Sequence, residues 1–326
     1  VKAQAGEAGL DPQAGAVLER AARAAAPALD SQSVADARRL YRETRLALAP
    51  SPLAMEETRD FLIPGAAGGI KARYYRPPGE KPGETLPAAV YFHGGGWTCG
   101  DLDTHDSVCR GIAAQGRCAV VAVDYRMGPE HKFPAAVEDA IAAVRWVSAN
   151  AESLHVDAAR LVVAGESAGG NLAAVVAIAA RDSGPALAMQ VLVYPVVDQA
   201  SDTDSLRRFA RGYSLTLELL RWYQANYLRD ESDRDDWRAS PLRAGDHSGL
   251  PPAYIVTAGF DPLLDEGKAY ADRLAQSGVS VIYECFEGQI HGFVPMGGAI
   301  AAARHAHYRI GQMLRTRFGT FAGVRP

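Results

Sequence analysis

Gly165-x-Ser167-x-Gly169 places a serine two residues from a glycine on either side. The residues before it, Arg160-Leu161-Val162-Val163, form the apolar, β-branched run of a buried strand. Those after it, Asn171 to Ala180, form an alanine-rich helix. A serine on so sharp a strand-to-helix turn adopts a strained backbone, and side chains at 165 or 169 would strike the neighbouring strand or helix. Its hydroxyl then stands at the positive end of a helix, where the Ala168 N–H can bind an oxyanion. The chemistry this suits is nucleophilic attack on an acyl carbonyl.

Such a serine needs a base, and histidine, with an ordinary side-chain pKa of about 6.5, serves at neutral pH. His291 is the candidate, with Asp261 as the acceptor that fixes its tautomer and stabilises the imidazolium. The order serine, aspartate, histidine along the chain is the one expected for a strand–turn–helix nucleophile. His93-Gly94-Gly95-Gly96-Trp97 lets the backbone approach a substrate closely, so the expected oxyanion donors are the N–H groups of Gly94, Gly95 and Ala168. Asp265, rather than Asp261, is the expected cap of the helix that follows. His93 reads as a hydrogen-bonding residue of its loop and Glu166 as a brace for the turn. Asp101, Asp103 and Asp106 read as a solvated acidic face. No histidine spacing suits a metal, His305-x-His307 pointing in diverging directions, and no metal is expected.

The elements that must position these residues alternate. Arg59–Ile63 and Ile70–Tyr75 flank a Pro/Gly-rich turn as a hairpin. Continuous apolar runs at Ala88–Phe92, Cys118–Val123, Leu161–Val163, Val191–Tyr194, Ala253–Thr257 and Val279–Tyr283 read as strands of a mostly parallel sheet covered by helices on both faces. Helices are expected over Phe133–Asn150, Asp265–Gln276 and Ala299–Arg317, and His291 follows the last strand through a short loop. Sites in open α/β sheets form at the carboxyl ends of the strands, so Gly94, Ser167, Asp261 and His291 can converge. Residues 1–50 read as helices broken at Pro27, with Ser33 capping a second helix whose apolar face is Val34, Ala37, Leu40, Tyr41, Leu46 and Leu48. A polar and aromatic stretch at 199–237 interrupts the alternation, with a helix over Thr216–Tyr227. The expected division is N-terminal cap helices at 1–50, core at 51–198, cap insert at 199–237 and core again at 238–326. Trp97, Tyr213, Trp222 and Tyr223 are the expected substrate-binding side chains, with Tyr227 beside them.

Hydrophobic content of 48% and charged content of 22% are those of an ordinary globular chain, and a net charge of −4 gives no reason to bind nucleic acid. No stretch approaches the roughly 20 apolar residues of a membrane span, and Val1 to Glu7 carry no hydrophobic signal core. The four cysteines show no C-x-x-C pair and read as reduced thiols, so a cytoplasmic protein is expected.

Together these motifs resemble the bacterial hormone-sensitive-lipase-like (family IV) esterases of the α/β-hydrolase superfamily. The resemblance rests on His93-Gly94-Gly95-Gly96, Asp124-Tyr125-Arg126, Pro129-Glu130-His131, Phe133-Pro134-Ala135-Ala136 and Gly165-Glu166-Ser167-Ala168-Gly169-Gly170. Tyr194-Pro195, Ser240-Pro241-Leu242, Asp261-Pro262-Leu263, Asp265-Glu266-Gly267 and His291-Gly292-Phe293 extend it. It implies a cofactor-free serine carboxylesterase for short- to medium-chain acyl esters, with an α/β-hydrolase fold and a helical cap. Its partner is a small-molecule ester, and a homodimer is compatible with it. Glu166 stands where aspartate is commoner, and Met127-Gly128 where Leu-Ala is usual; neither touches the triad. A lyase or acyltransferase, or a non-catalytic ligand-binding protein, is the alternative on the same fold.

Overall fold

The computed structural model describes residues 9–24, 27–81 and 83–320; the readings made for Val1 to Glu7 lie outside them. Among the described residues, eight strands form one sheet in the order β1-β2-β4-β3-β5-β6-β7-β8. β1 (Glu57–Gly65) and β2 (Gly68–Arg76) are the hairpin, and β2 alone runs against its neighbours. β3 (Leu86–Phe92), β4 (Ala119–Asp124), β5 (Val156–Glu166), β6 (Met189–Val193), β7 (Ala253–Phe260) and β8 (Val281–Ile290) pair in parallel.

The period-2 alternation of each strand divides the core between the two faces. Ala88, Val90 and Phe92 of β3 pack with α4 (Ala135–Ala149), α5 (Ala168–Ser183) and α8 (Leu264–Gln276), through residues such as Val144, Leu172 and Leu274. Ala89 and Tyr91 pack on the other side with α1 (Pro12–Ala24), α3 (Asp106–Gly116) and α9 (Ala301–Phe318), through Leu18, Ile112 and Ile310. Every residue of β3 and β6 is buried, which is why both read as continuous apolar runs.

α1 starts where Pro12 occupies the first turn and the Asp11 carboxylate accepts the N–H groups of Gln13 and Ala14. α2 (Val34–Leu48) is capped by Ser33, whose hydroxyl oxygen accepts the Asp36 N–H. On α2, Ala37, Tyr41 and Leu48 are buried, whereas Leu46, expected on the same face, is 46% exposed. The insert contains α6 (Asp204–Arg208) and α7 (Leu217–Tyr227), with Thr216 capping the latter. β8 continues to Ile290, so His291 follows the strand directly and not through a loop.

His307 lies in the α3–α9 interface, 6% exposed, its Nε2 without a hydrogen-bond partner; a Cβ on Gly111 of α3 would sit 2.7 Å from its Nδ1. Burial lowers its pKa to about 4. The unfolded chain takes up that proton near pH 6.5, the folded chain only near pH 4, so the contribution of a neutral His307 is whole above pH 6.5 and fades as pH falls towards 4. Relative to His307→Leu, the native protein should lose up to about 3 kcal/mol across that window. Urea unfolding of both proteins at pH 7 and pH 4.5 checks this; an equal response to pH would contradict it.

Candidate active site

Ser167 sits at the N-cap of α5 with φ 56° and ψ −118°, a backbone that costs about 1–3 kcal/mol and persists because its surroundings enforce it. A Cβ at Gly165 would overlap the backbone of Gly169, and one at Gly169 would overlap that of Phe92. The bare glycines therefore allow β5, α5 and the end of β3 to meet around the serine. The Ser167 N–H donates to Val193 O at 2.9 Å, which ties the turn to β6.

His291 Nε2 lies 2.9 Å from Ser167 Oγ, and its Nδ1–H donates to Asp261 Oδ2 at 2.7 Å. With Nδ1 carrying the proton, Nε2 is free to accept from the serine hydroxyl. Asp261 is fully buried, and its other oxygen accepts the Leu263 N–H at 2.9 Å. The Tyr194 ring packs 4.8 Å from that of His291. Three side chains that sequence reading selected from different strand ends thus stand in one hydrogen-bonded line. Asp265 does not cap α8, which starts at Leu264 without a side-chain cap; its carboxylate instead accepts the Ser205 N–H at 2.8 Å and anchors α6.

Glu166 is the brace expected of it, with partners that sequence reading did not identify. Its Oε1 accepts from His105 Nε2 at 2.7 Å and from the Gly94 N–H at 3.1 Å. Burial alone would raise this carboxyl, but His105, Arg45 and the Tyr194 hydroxyl together hold it at about 2. One buried carboxylate thereby fastens the nucleophile turn to the glycine loop. The same bond corrects an expectation: the Gly94 N–H is already engaged and is not available as an oxyanion donor.

His93 serves its loop, its Nδ1 lying 2.8 Å from Gly94 O and its ring stacked on Tyr125. Burial lowers its pKa to about 4, which keeps it neutral and weakly basic at neutral pH. The acidic residues do face solvent in part, the Asp101, Asp103 and Asp106 side chains being 34%, 45% and 19% exposed, but each is ion-paired. Asp101 and Asp103 pair with Arg42, Asp103 also with Arg73, and Asp106 with Arg110. Their partners come from α2, β2 and α3. Arg38, one turn before Arg42, donates to Thr98 O and Gly128 O and pairs with Glu130, so a row of arginines seats α2 on the glycine-loop side of the site.

The expected substrate-binding aromatics fall in different places. Tyr223 of α7 lies directly on the glycine loop: a Cβ on Gly96 would overlap its ring. Trp222 meets Tyr223 edge-on at 5.3 Å. Trp97 is 1% exposed and stacks on Tyr227 at 4.1 Å, so its ring is committed to the insert. Tyr213 packs against Phe209 and Phe260, beside Asp261. Among the described residues, no cluster of His, Cys, Asp and Glu could hold a metal, and no helix is long and apolar enough to cross a membrane.

Residues 89–295 match the model of a family described as having the alpha/beta hydrolase fold. The chain is 45% identical over 263 residues to the carboxylic ester hydrolase LipN of Mycobacterium tuberculosis, covering 78% of this chain and 69% of that protein. It is 37% identical to the ethyl acetate hydrolase of Pseudomonas putida, over 90% of this chain and 95% of that one. Among solved structures, the Ser161Ala mutant of LAE6, an alpha/beta hydrolase enzyme from the metagenome of Lake Arreo, Spain, superposes with a TM-score of 0.92 at 41% identity, covering 95% of this chain and 99% of that one. An esterase of Pyrobaculum calidifontis superposes with a TM-score of 0.87 at 41% identity, covering 94% and 98%.

Proposed function

This chain belongs to the hormone-sensitive-lipase-like branch of the α/β-hydrolase superfamily and is a carboxylic ester hydrolase; from that premise we propose that it cleaves short- to medium-chain acyl esters through an acyl-enzyme on Ser167. The observation that carries this reading is the line Ser167–His291–Asp261, with contacts of 2.9 and 2.7 Å.

Ser167 Oγ attacks the ester carbonyl carbon while its proton passes to His291 Nε2, and Asp261 stabilises the imidazolium. The C–O bond to the alcohol breaks, and the leaving oxygen takes the proton from His291. A water molecule then attacks the acyl-serine, its proton passing to His291; the carboxylic acid departs and the serine hydroxyl is restored. Negative charge on the tetrahedral oxygen needs N–H donors. With the Gly94 N–H held by Glu166, that role falls to Gly95, Gly96 and Ala168.

The helices within residues 1–50 and the insert at 199–237 act as the cap, a reading that the position of Tyr223 over the glycine loop supports. An acyl chain buried against such a cap gains up to about 0.8 kcal/mol per CH₂, roughly fourfold in kcat/KM where the gain is made in the transition state. Across a series of p-nitrophenyl esters, activity should climb from acetyl to an optimum near about four to eight carbons and fall well before sixteen. A flat response to acyl length, or a maximum at sixteen carbons, would contradict this. Cys99, Cys109, Cys118 and Cys285 are free thiols, which supports a reducing, cytoplasmic setting.

A further inference from the structure

Two consecutive carbonyl oxygens beside the imidazole are held by side chains from outside the sheet. The backbone oxygen of His291 accepts the Ser214 hydroxyl, and that of Gly292 accepts an Arg45 N–H at 2.8 Å. Ser214 lies in the insert between α6 and α7, and Arg45 lies on α2. The two side chains come from 77 and 247 residues away along the chain.

Downstream of these two bonds the segment is placed by its own packing: Phe293, Val294 and Met296 are buried, and the Gly298 N–H donates to Leu48 O at 2.9 Å. β8 is an edge strand paired with β7, it ends at Ile290, and α9 does not begin until Ala301. Gly292 turns the chain with φ +74°, and a Cβ there would lie 2.8 Å from Arg45 Nη2, so the guanidinium packs against the bare Cα. On the core side, the Tyr194 hydroxyl accepts the Val294 N–H at 3.4 Å, a long bond. The direction of the imidazole follows from where the 291–292 backbone sits, and a reacting group misplaced by about 1 Å can cost on the order of 100-fold in rate.

We propose that Arg45 and Ser214 are positioning residues for the base: together they set the 291–292 backbone so that the imidazole meets Ser167 and Asp261 at once. This rests on the Ser–His–Asp reading above. It makes the outer segments part of the reaction without touching substrate, since the base is in line only when α2 and the insert are both seated. The Arg38–Arg42–Arg45 row explains how α2 can do this. Arg38 and Arg42 fix the helix on the glycine-loop side, and Arg45, one turn on, reaches the histidine side.

The test uses the full chain carrying Ser214→Ala, Arg45→Met, Ser214→Thr and, as a control on the exposed side of α2, Arg39→Ala. Two rates are read: turnover of p-nitrophenyl butyrate, and labelling of Ser167 by a fluorophosphonate, which reports the Ser–His pair even if the wild type hydrolyses no ester. Ser214→Ala and Arg45→Met should each lower kcat and the labelling rate about tenfold, with KM within about twofold. Ser214→Thr, which keeps the hydroxyl, should recover both rates, and Arg39→Ala should match the wild type. Wild-type rates in Ser214→Ala and Arg45→Met would overturn the proposal. So would a rise in KM at unchanged kcat, which would make them substrate contacts, or a loss that threonine does not restore. A wild type that is labelled at Ser167 yet cleaves no ester would end the esterase reading, while the labelling rates would still decide the positioning role.

Discussion

Ser167→Ala should lower kcat for p-nitrophenyl butyrate on the order of 10⁶-fold, the scale of loss when a serine hydrolase is deprived of its nucleophile, and should leave the protein folded. Ser167 is only 8% exposed and its Oγ lies 2.9 Å from His291 Nε2, so its hydroxyl is the nucleophile in contact with the base. Alanine keeps the Cβ that the turn already accommodates, and the glycines at 165 and 169 still let β5, α5 and β3 meet. The thermal midpoint should stay within a few degrees of the wild type, and fluorophosphonate labelling should vanish. Labelling that persists, or an adduct mapped by mass spectrometry to another serine, would reassign the nucleophile.

Asp261→Asn should cost on the order of 10⁴ in kcat, whereas Asp265→Asn should cost less than about tenfold. The Asp261 carboxylate accepts from both His291 Nδ1–H and the Leu263 N–H. An asparagine can keep one of those bonds through its oxygen, but it then offers an NH₂ group to Nδ1. That favours the imidazole tautomer with the proton on Nε2, which cannot accept from Ser167. Asp265 touches neither His291 nor Ser167; its carboxylate holds the first turn of α6 through Ser205 N. Steady-state kinetics on both variants separate the two aspartates. A larger loss in the Asp265 variant would exchange their roles.

The strands and the nucleophile turn were legible because their causes are local. An apolar run of five or six residues and a glycine two positions from a serine carry their physics with them. Asp261 and His291 were legible one step further, through the rule that α/β sites gather at the carboxyl ends of parallel strands. Contacts between distant segments were not readable. Whether the Gly94 N–H is free depends on a carboxylate 72 residues away, and Glu166 in turn depends on His105, 61 residues back. Asp101 and Asp103 look solvated beside their own neighbours and are neutralised by Arg42, about 60 residues earlier in the chain. Ser214 and Arg45 match no motif, because backbone carbonyls are what they hold, and every residue has one.

The strand order also governs when the chain can first react. β5 and the turn at Ser167 lie mid-sheet and are complete once β3 and β6 have paired beside them. His291 is carried past the end of β8, the last strand to be synthesised and the one at the sheet's far edge. A domain folds as a unit, so the base comes into place with the docking of this last edge strand. A chain cut short before β8 lacks His291 and has no base to offer the serine, however much of the sheet it still forms.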